Sequence, residues 1–326
     1  MGIIDTFSSG FLHPPILFFL LGILAVFVKS DLNIPVSIGK FLSLYLLFCI
    51  GLKGGQALFA HEFTSSSILI LTLCIIISFV TPLICYFILK YKLNIYDAGA
   101  IAASYGSVSA VTFITATEFL EENSIPYDGV MISGLALMEV PAIITGLIII
   151  KIFSKDQKSA QPMQKFSVVI HEAVTNGYVF ILIGSMVIGY LCGIAGEIEL
   201  KPFTYDIFKG MLCLYLLDMG IIAGSKLTSL RQFGVFLSSF ALIYPIAAAL
   251  CMIIIAKLAG ISAGNALLFT ILGASASYIA APAAMRFAVP QANMGLLLPM
   301  VLGITFTFNI IFGIPLYNYI IQRIWI

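Results

Sequence analysis

The chain has 326 residues, 61% hydrophobic and 10% charged, with a net charge of +1. A soluble domain of this length cannot bury that much apolar surface, and a near-neutral chain does not read as a nucleic-acid binder. The apolar runs are continuous rather than alternating, which argues for membrane-spanning helices of about 20 residues and against a β-barrel.

Ten spans are predicted, at roughly 11–28, 36–53, 66–89, 98–118, 129–152, 174–194, 206–224, 233–257, 265–284 and 295–322. The polar stretch from Lys151 to Lys165 divides them five and five: a first half over 1–153, a short linker over 154–168 and a second half over 169–326. The first span lacks a basic flank and a small-residue cleavage site, so it reads as retained rather than as a signal peptide. The second reads VSIGKFLSLYLLFCIGLKGGQAL from Val36, and 169 positions on the seventh reads YDIFKGMLCLYLLDMGIIAGSKL from Tyr205. Lys40 thereby meets Lys209, Leu47 meets Leu216, Gly51 meets Gly220, Gly55 meets Gly224 and Leu58 meets Leu227.

Two further pairs keep the same order. The third and eighth spans each hold a central proline, Pro82 and Pro245. The fourth opens at Asp97-Ala98 and the ninth at Asn265-Ala266. Each then carries a Ser-x-Ser, Ser107 and Ser109 in one, Ser275 and Ser277 in the other, 168 positions apart. Repeated halves in so apolar a chain are the mark of a secondary transporter whose site lies where the halves meet. Five spans per half is odd, so the halves are expected to be inverted. Counting basic residues puts eleven of the sixteen lysines and arginines inside when both termini lie outside.

The fourth span reads ASYGSVSAVT from Ala103 and the ninth GASASYIAAP from Gly273. Small residues let helices approach closely or let a backbone unwind, and a half-helix start offers unpaired N–H groups and a positive dipole end that suit an anion. The plainer reading is tight packing, with each serine bonded back to its own helix; its recurrence in both halves favours a site. Four ionisable residues lie at membrane depth: Lys53, Glu139, Asp218 and, near a span end where it can snorkel, Lys257. Glu139 precedes Val140-Pro141 and reads equally as a ligand for a hard cation such as Na⁺ or as a structural hydrogen-bond acceptor. Asp218 sits at the repeat position of Cys49, and a Lys53–Asp218 pair is one expectation. The six cysteines form no CxxC and read as packing residues, and no histidine has metal-site spacing. No P-loop, GxSxG or HExxH occurs, so an enzyme is not expected.

At these residues the chain resembles the sodium-dependent bicarbonate transporter family known from cyanobacterial carbon uptake. The similarity covers nearly the whole chain and is most specific over Leu32 to Leu58, Gly106 to Gly129 with its EENSIPY, Leu137 to Ile150 and Ser275 to Asn293. The resemblance implies an all-α integral membrane protein of the inner membrane. It implies ten transmembrane helices in two inverted five-helix repeats, a core domain moving against a gate domain, and a homotrimer. It places the solute at Gly106, Ser107, Ser109, Ser275 and Ser277; Tyr278, next to them in this chain, reads as a further donor to the solute. Thr112, Glu139, Asp218 and Lys53 are then the candidates for coupling an ion. Tyr278 stands where the family carries an aspartate, only Pro282 remains of a proline pair, and Lys53 replaces a small polar residue. One consequence is that the Lys53 ammonium stands in for a bound cation. The long linker of the cyanobacterial members is absent, which leaves a PII-like regulator open. Bicarbonate with Na⁺ is the expected cargo. Another small carboxylate or proton coupling through Asp218 is the alternative, and a membrane sensor that binds without flux is the alternative from another class.

Overall fold

The computed structural model describes residues 13–60, 64–154, 177–229 and 234–325, together with 167, 168, 171 and 175. Among the described residues the structure is all helix, and eight helical segments are long and apolar enough to cross a membrane. The linker expected over 154–168 lies mostly outside the described residues.

Helix α1 (Pro14–Phe27) starts on two prolines, whose missing N–H groups are unpaired there in any case. It is followed by α2 (Val36–Ala60) and α3 (Ser65–Leu89), which is capped by the Thr64 side chain. The fourth expected span is two half-helices, α4 (Ile95–Gly106) and α5 (Ala110–Glu122). Helix α6 (Val130–Phe153) closes the first half, and α7 (Gly177–Lys201) and α8 (Phe208–Ser229) open the second, joined by a π turn over Pro202–Asp206. Helix α9 (Gly234–Leu258) precedes a second broken pair, α10 (Ala263–Ala274) and α11 (Ala280–Ala288). The tenth expected span is not one uniform helix. It runs from α12 (Met294–Leu298) through π-helical turns at Pro299–Phe306 and Asn309–Gly313 into α13 (Ile314–Ile324). Prolines at 299 and 315 withdraw two N–H donors from that stretch, which favours re-registered backbone bonds.

The helices form two groups. In one, α2 packs most extensively on α7 and α1 on α8. In the other, α3 packs on α4 and α6, and α9 on α10. The repeated glycines explain the first group. A Cβ on Gly220 would run into the Phe19 carbonyl, and one on Gly22 into the Leu217 carbonyl, so α1 and α8 touch backbone to backbone. Gly51 and Gly55 do the same for α2 against the Leu182 and Met186 carbonyls of α7. Positions 169 apart in sequence therefore serve the same purpose in the two interfaces. Gly220→Leu is expected to destabilise the protein by about 1–3 kcal/mol or more, because backbone cannot retreat as a side chain can. Gly210→Leu, on the same helix with nothing within 4 Å of its Cβ position, is the control. Thermal unfolding in detergent compares the two, and equal midpoints would contradict this packing.

The second group is tied at matched positions. Asp97, in the first turn of α4, accepts from the Asn293 N–H at 2.6 Å. Asn265, in the first turn of α10, accepts from the Asp128 N–H at 2.8 Å and donates to the Asp128 carboxylate at 2.5 Å. Each first half-helix is thus anchored to the loop that follows the second half-helix of the other repeat. This fixes where the two breaks sit relative to each other.

Candidate functional site

Each break is written in the local sequence. Helix α4 ends at Gly106, whose Cβ position is filled by the Pro82 ring of α3, so only glycine fits there. Ser107 and Ser109 are extended, and Ser109 caps α5: its hydroxyl accepts from the Thr112 N–H at 3.2 Å and from the Thr112 hydroxyl at 2.8 Å. Helix α10 ends before Ser275, also extended. After it the Ser277 hydroxyl accepts from the Ala281 N–H at 3.3 Å at the start of α11, where Pro282 lacks an N–H.

The two breaks cross. The Ser109 N–H donates to the Ser275 hydroxyl at 3.0 Å, and the Ser277 N–H donates to the Ser104 carbonyl at 2.8 Å. Ser107, Ser109, Thr112, Ser275 and Ser277 are all buried. Asn309 donates to the Ala274 carbonyl at 2.9 Å, satisfying the last turn of α10. The packing reading of the serines holds only in part: Ser109 and Ser275 bond across the crossing and not only within their own segments.

A cavity of about 30 Å³ lies at the crossing, about twice what one buried water needs. Ser109, Ala110 and Val111 at the start of α5 line it, as do Ser277, Ile279 and Ala280 at the start of α11. Two helix N-termini therefore face one space, each with a partial positive charge, an arrangement that suits a small anion. Glu139 on α6 lines the same cavity, and its carboxylate accepts from the Ser107 hydroxyl at 2.5 Å. Carboxylate and serine hydroxyl together are oxygen ligands for a hard cation. Pro141 lies inside α6 without ending it. Nearby the Met138 carbonyl accepts from Ser78 at 2.5 Å and the Pro141 carbonyl from Thr145 at 2.9 Å.

A family model described as the Na⁺-dependent bicarbonate transporter superfamily matches residues 14–322. The chain belongs to that superfamily. No individual curated protein matches it. As a member of a transporter superfamily with several membrane-spanning helices, it is a multi-pass membrane protein of the transport class.

Within this superfamily member, the remaining candidates fall in three places. Tyr278 lines the crossing cavity, packs its ring on Phe306 at 5.4 Å, and meets the Tyr215 hydroxyl with its own at 3.3 Å. Lys53 is not at the crossing. Its ammonium lies over the Tyr205 ring at 4.2 Å and the Phe208 ring at 4.5 Å, and 3.6 Å from the Glu121 carboxylate. The expected Lys53–Asp218 pair does not form, because Lys53 has this aromatic and acidic seat nearer to hand. Asp218 lines a second, larger cavity. Lys257, expected to snorkel, donates to the Ile324 carbonyl at 2.9 Å and lies over the Trp325 ring.

Beyond Lys53, the end of α5 carries an ion-pair network. Glu122 pairs with Lys209 of α8 and meets the His13 imidazole before α1, and Lys209 is also 3.7 Å from Glu118. These pairs join α5 to the helices of the first group. Among the described residues, no three His, Cys, Asp or Glu side chains gather as a transition-metal site.

Proposed function

We propose that this protein is a secondary active transporter that takes up bicarbonate together with Na⁺ by alternating access. The observation that carries the reading is the crossing of two half-helix N-termini over one cavity, on serines at matched positions of a repeated sequence. In this reading the anion is held in the cavity by the starts of α5 and α11 and the hydroxyls of Ser109 and Ser277, with Gly106, Ser107 and Ser275 forming the breaks behind them and Tyr278 as a wall. Na⁺ is held by Glu139 with Ser107 and Thr112.

The passes are then ten, counting α4–α5 and α10–α11 as one each, in two inverted five-helix repeats. Helices α1, α2, α7 and α8 form the gate, and the others the core. The Glu118–Glu122 end of α5 is shut by ion pairs across these two groups, while the larger cavity adjoins the crossing at Tyr178, Tyr278 and Ile279. That asymmetry fits one end closed and the other approachable. Both termini lie outside in this orientation, the membrane is the plasma (inner) membrane, and the homotrimer is carried over from the resemblance.

Coupled binding tests the site. Bicarbonate is expected to raise the unfolding temperature of the purified protein only when Na⁺ is present, since ligands of one state stabilise it jointly. Stabilisation by bicarbonate that is indifferent to Na⁺ would overturn the Na⁺ part. No stabilisation at any Na⁺ concentration would overturn the anion part.

A further inference from the structure

We propose that Asp218 is the seat of a second cation site, in the vestibule that adjoins the anion cavity on the Lys40 side. The proposal builds on the transport reading above and adds to it a site that the crossing serines do not form.

Asp218 is 8% exposed, yet among the described residues its carboxylate accepts no hydrogen bond and enters no ion pair. It faces a cavity of about 390 Å³, with Ser43, Tyr215 and Tyr278 around it and Lys40 at the side. A carboxylate so little exposed and without a protein partner takes up a cation or a proton from the cavity it faces. The structure favours the cation. The carboxylate lies against α2 at Gly39, where a Cβ would come within 2.5 Å of Oδ2. Gly39 is in the fourth position of α2, so the carboxylate lies beside the first turn of that helix. Ser43 and Tyr215 hydroxyls supply further oxygens, and the cavity has room for water to complete the shell of a hard monovalent cation.

The position gives the site a function. Tyr215, one turn before Asp218 on α8, meets Tyr278 hydroxyl to hydroxyl at 3.3 Å, and Tyr278 lines both cavities. A cation at Asp218 therefore sits one tyrosine away from the anion, on the approachable side. The repeat partner of Asp218 is Cys49, fully buried, so the second site has no twin in the other half. The exposed Lys40 ammonium is the competitor for the cation at this site.

Equilibrium binding of ²²Na⁺ to the purified full chain at neutral pH, without bicarbonate, tests this. Wild type is expected to bind two Na⁺ per chain, Asp218→Asn one and Glu139→Gln one. Wild type with one Na⁺, lost in Glu139→Gln and kept in Asp218→Asn, would overturn the Asp218 site and leave the transport reading standing. One Na⁺ lost in Asp218→Asn and kept in Glu139→Gln would uphold Asp218 and remove Glu139 from the transport reading. Should Asp218→Asn fail to elute as a folded species, Gly39→Ala decides. Its methyl group crowds the carboxylate without removing it, and about tenfold weaker binding at one of the two sites is expected. Two unaltered sites in Gly39→Ala would overturn the proposal.

Discussion

Ser109→Ala is expected to lower the initial rate of labelled bicarbonate uptake at least tenfold, in a protein that still folds. Three interactions end at once. The Thr112 N–H and the Thr112 hydroxyl both lose their acceptor, and the hydroxyl at the mouth of the crossing cavity is gone. Loss of an N-cap costs about 0.5–2 kcal/mol, and a buried donor left without a partner about 1–3 kcal/mol. Those losses fall on folding stability; the tenfold fall in rate, about 1.4 kcal/mol, is expected from the hydroxyl lost from the cavity. The effect is local because the backbone crossing persists: the Ser109 N–H still has the Ser275 hydroxyl, and the Ser277 N–H still has the Ser104 carbonyl. Uptake measured in proteoliposomes at matched protein content checks this. A rate within twofold of wild type would mean that Ser109 is only a helix cap.

Glu139→Gln is expected to raise the half-saturating Na⁺ concentration for bicarbonate uptake about tenfold or more, with a smaller change in bicarbonate affinity at saturating Na⁺. The carboxylate is buried, and one serine hydroxyl is its hydrogen-bond partner. A single neutral donor does not balance a buried charge, which leaves room for a cation; the amide keeps the shape and removes the charge. A competing account is available within the same geometry. The starts of α5 and α11 each carry roughly half a positive charge, and those two ends could hold Glu139 in place of the anion. On that account Glu139→Gln would tighten bicarbonate binding and leave the Na⁺ dependence unchanged. Titrating Na⁺ at fixed bicarbonate, and the reverse, separates the two.

Much of this site is legible in the chain, for definable reasons. Gly51 and Gly220 align because each lets a helix touch the backbone of another, and such a requirement survives in sequence when apolar residues around it drift. Asp97 and Asn265 align because each anchors a half-helix to the loop of the opposite repeat. The Ser-x-Ser pairs mark the breaks because serine caps a helix start and glycine or alanine permits close crossing. Other features depend on distances that spacing does not encode. Lys53 and Glu121 lie 68 positions apart, and nothing local to either names the other. The same holds for Lys209 with Glu122, 87 positions apart, and for His13. The bond from the Ser109 N–H to the Ser275 hydroxyl joins two loops whose approach is set by the whole bundle. The winding of residues 299–313 into π turns is weakly signalled: two prolines and three glycines sit in the run 295–322, which otherwise reads as one uniform span.

Asp218 shows the limit most clearly. Its place at membrane depth marks it as costly, and a lysine four repeat positions away suggests a partner. The fold turns that lysine to Glu121 and leaves the carboxylate facing an open cavity. The chemistry of the residue was readable, and its neighbours were not.

In the transport reading the crossing half-helices carry bicarbonate across the membrane at the expense of a Na⁺ gradient. Purified protein in sealed proteoliposomes is given labelled bicarbonate with and without an inward Na⁺ gradient. Accumulation above equilibrium is expected to require the gradient and to collapse when Na⁺ is equalised by an ionophore. Uptake of the same extent without Na⁺, or none in a folded preparation that binds Na⁺, would contradict it.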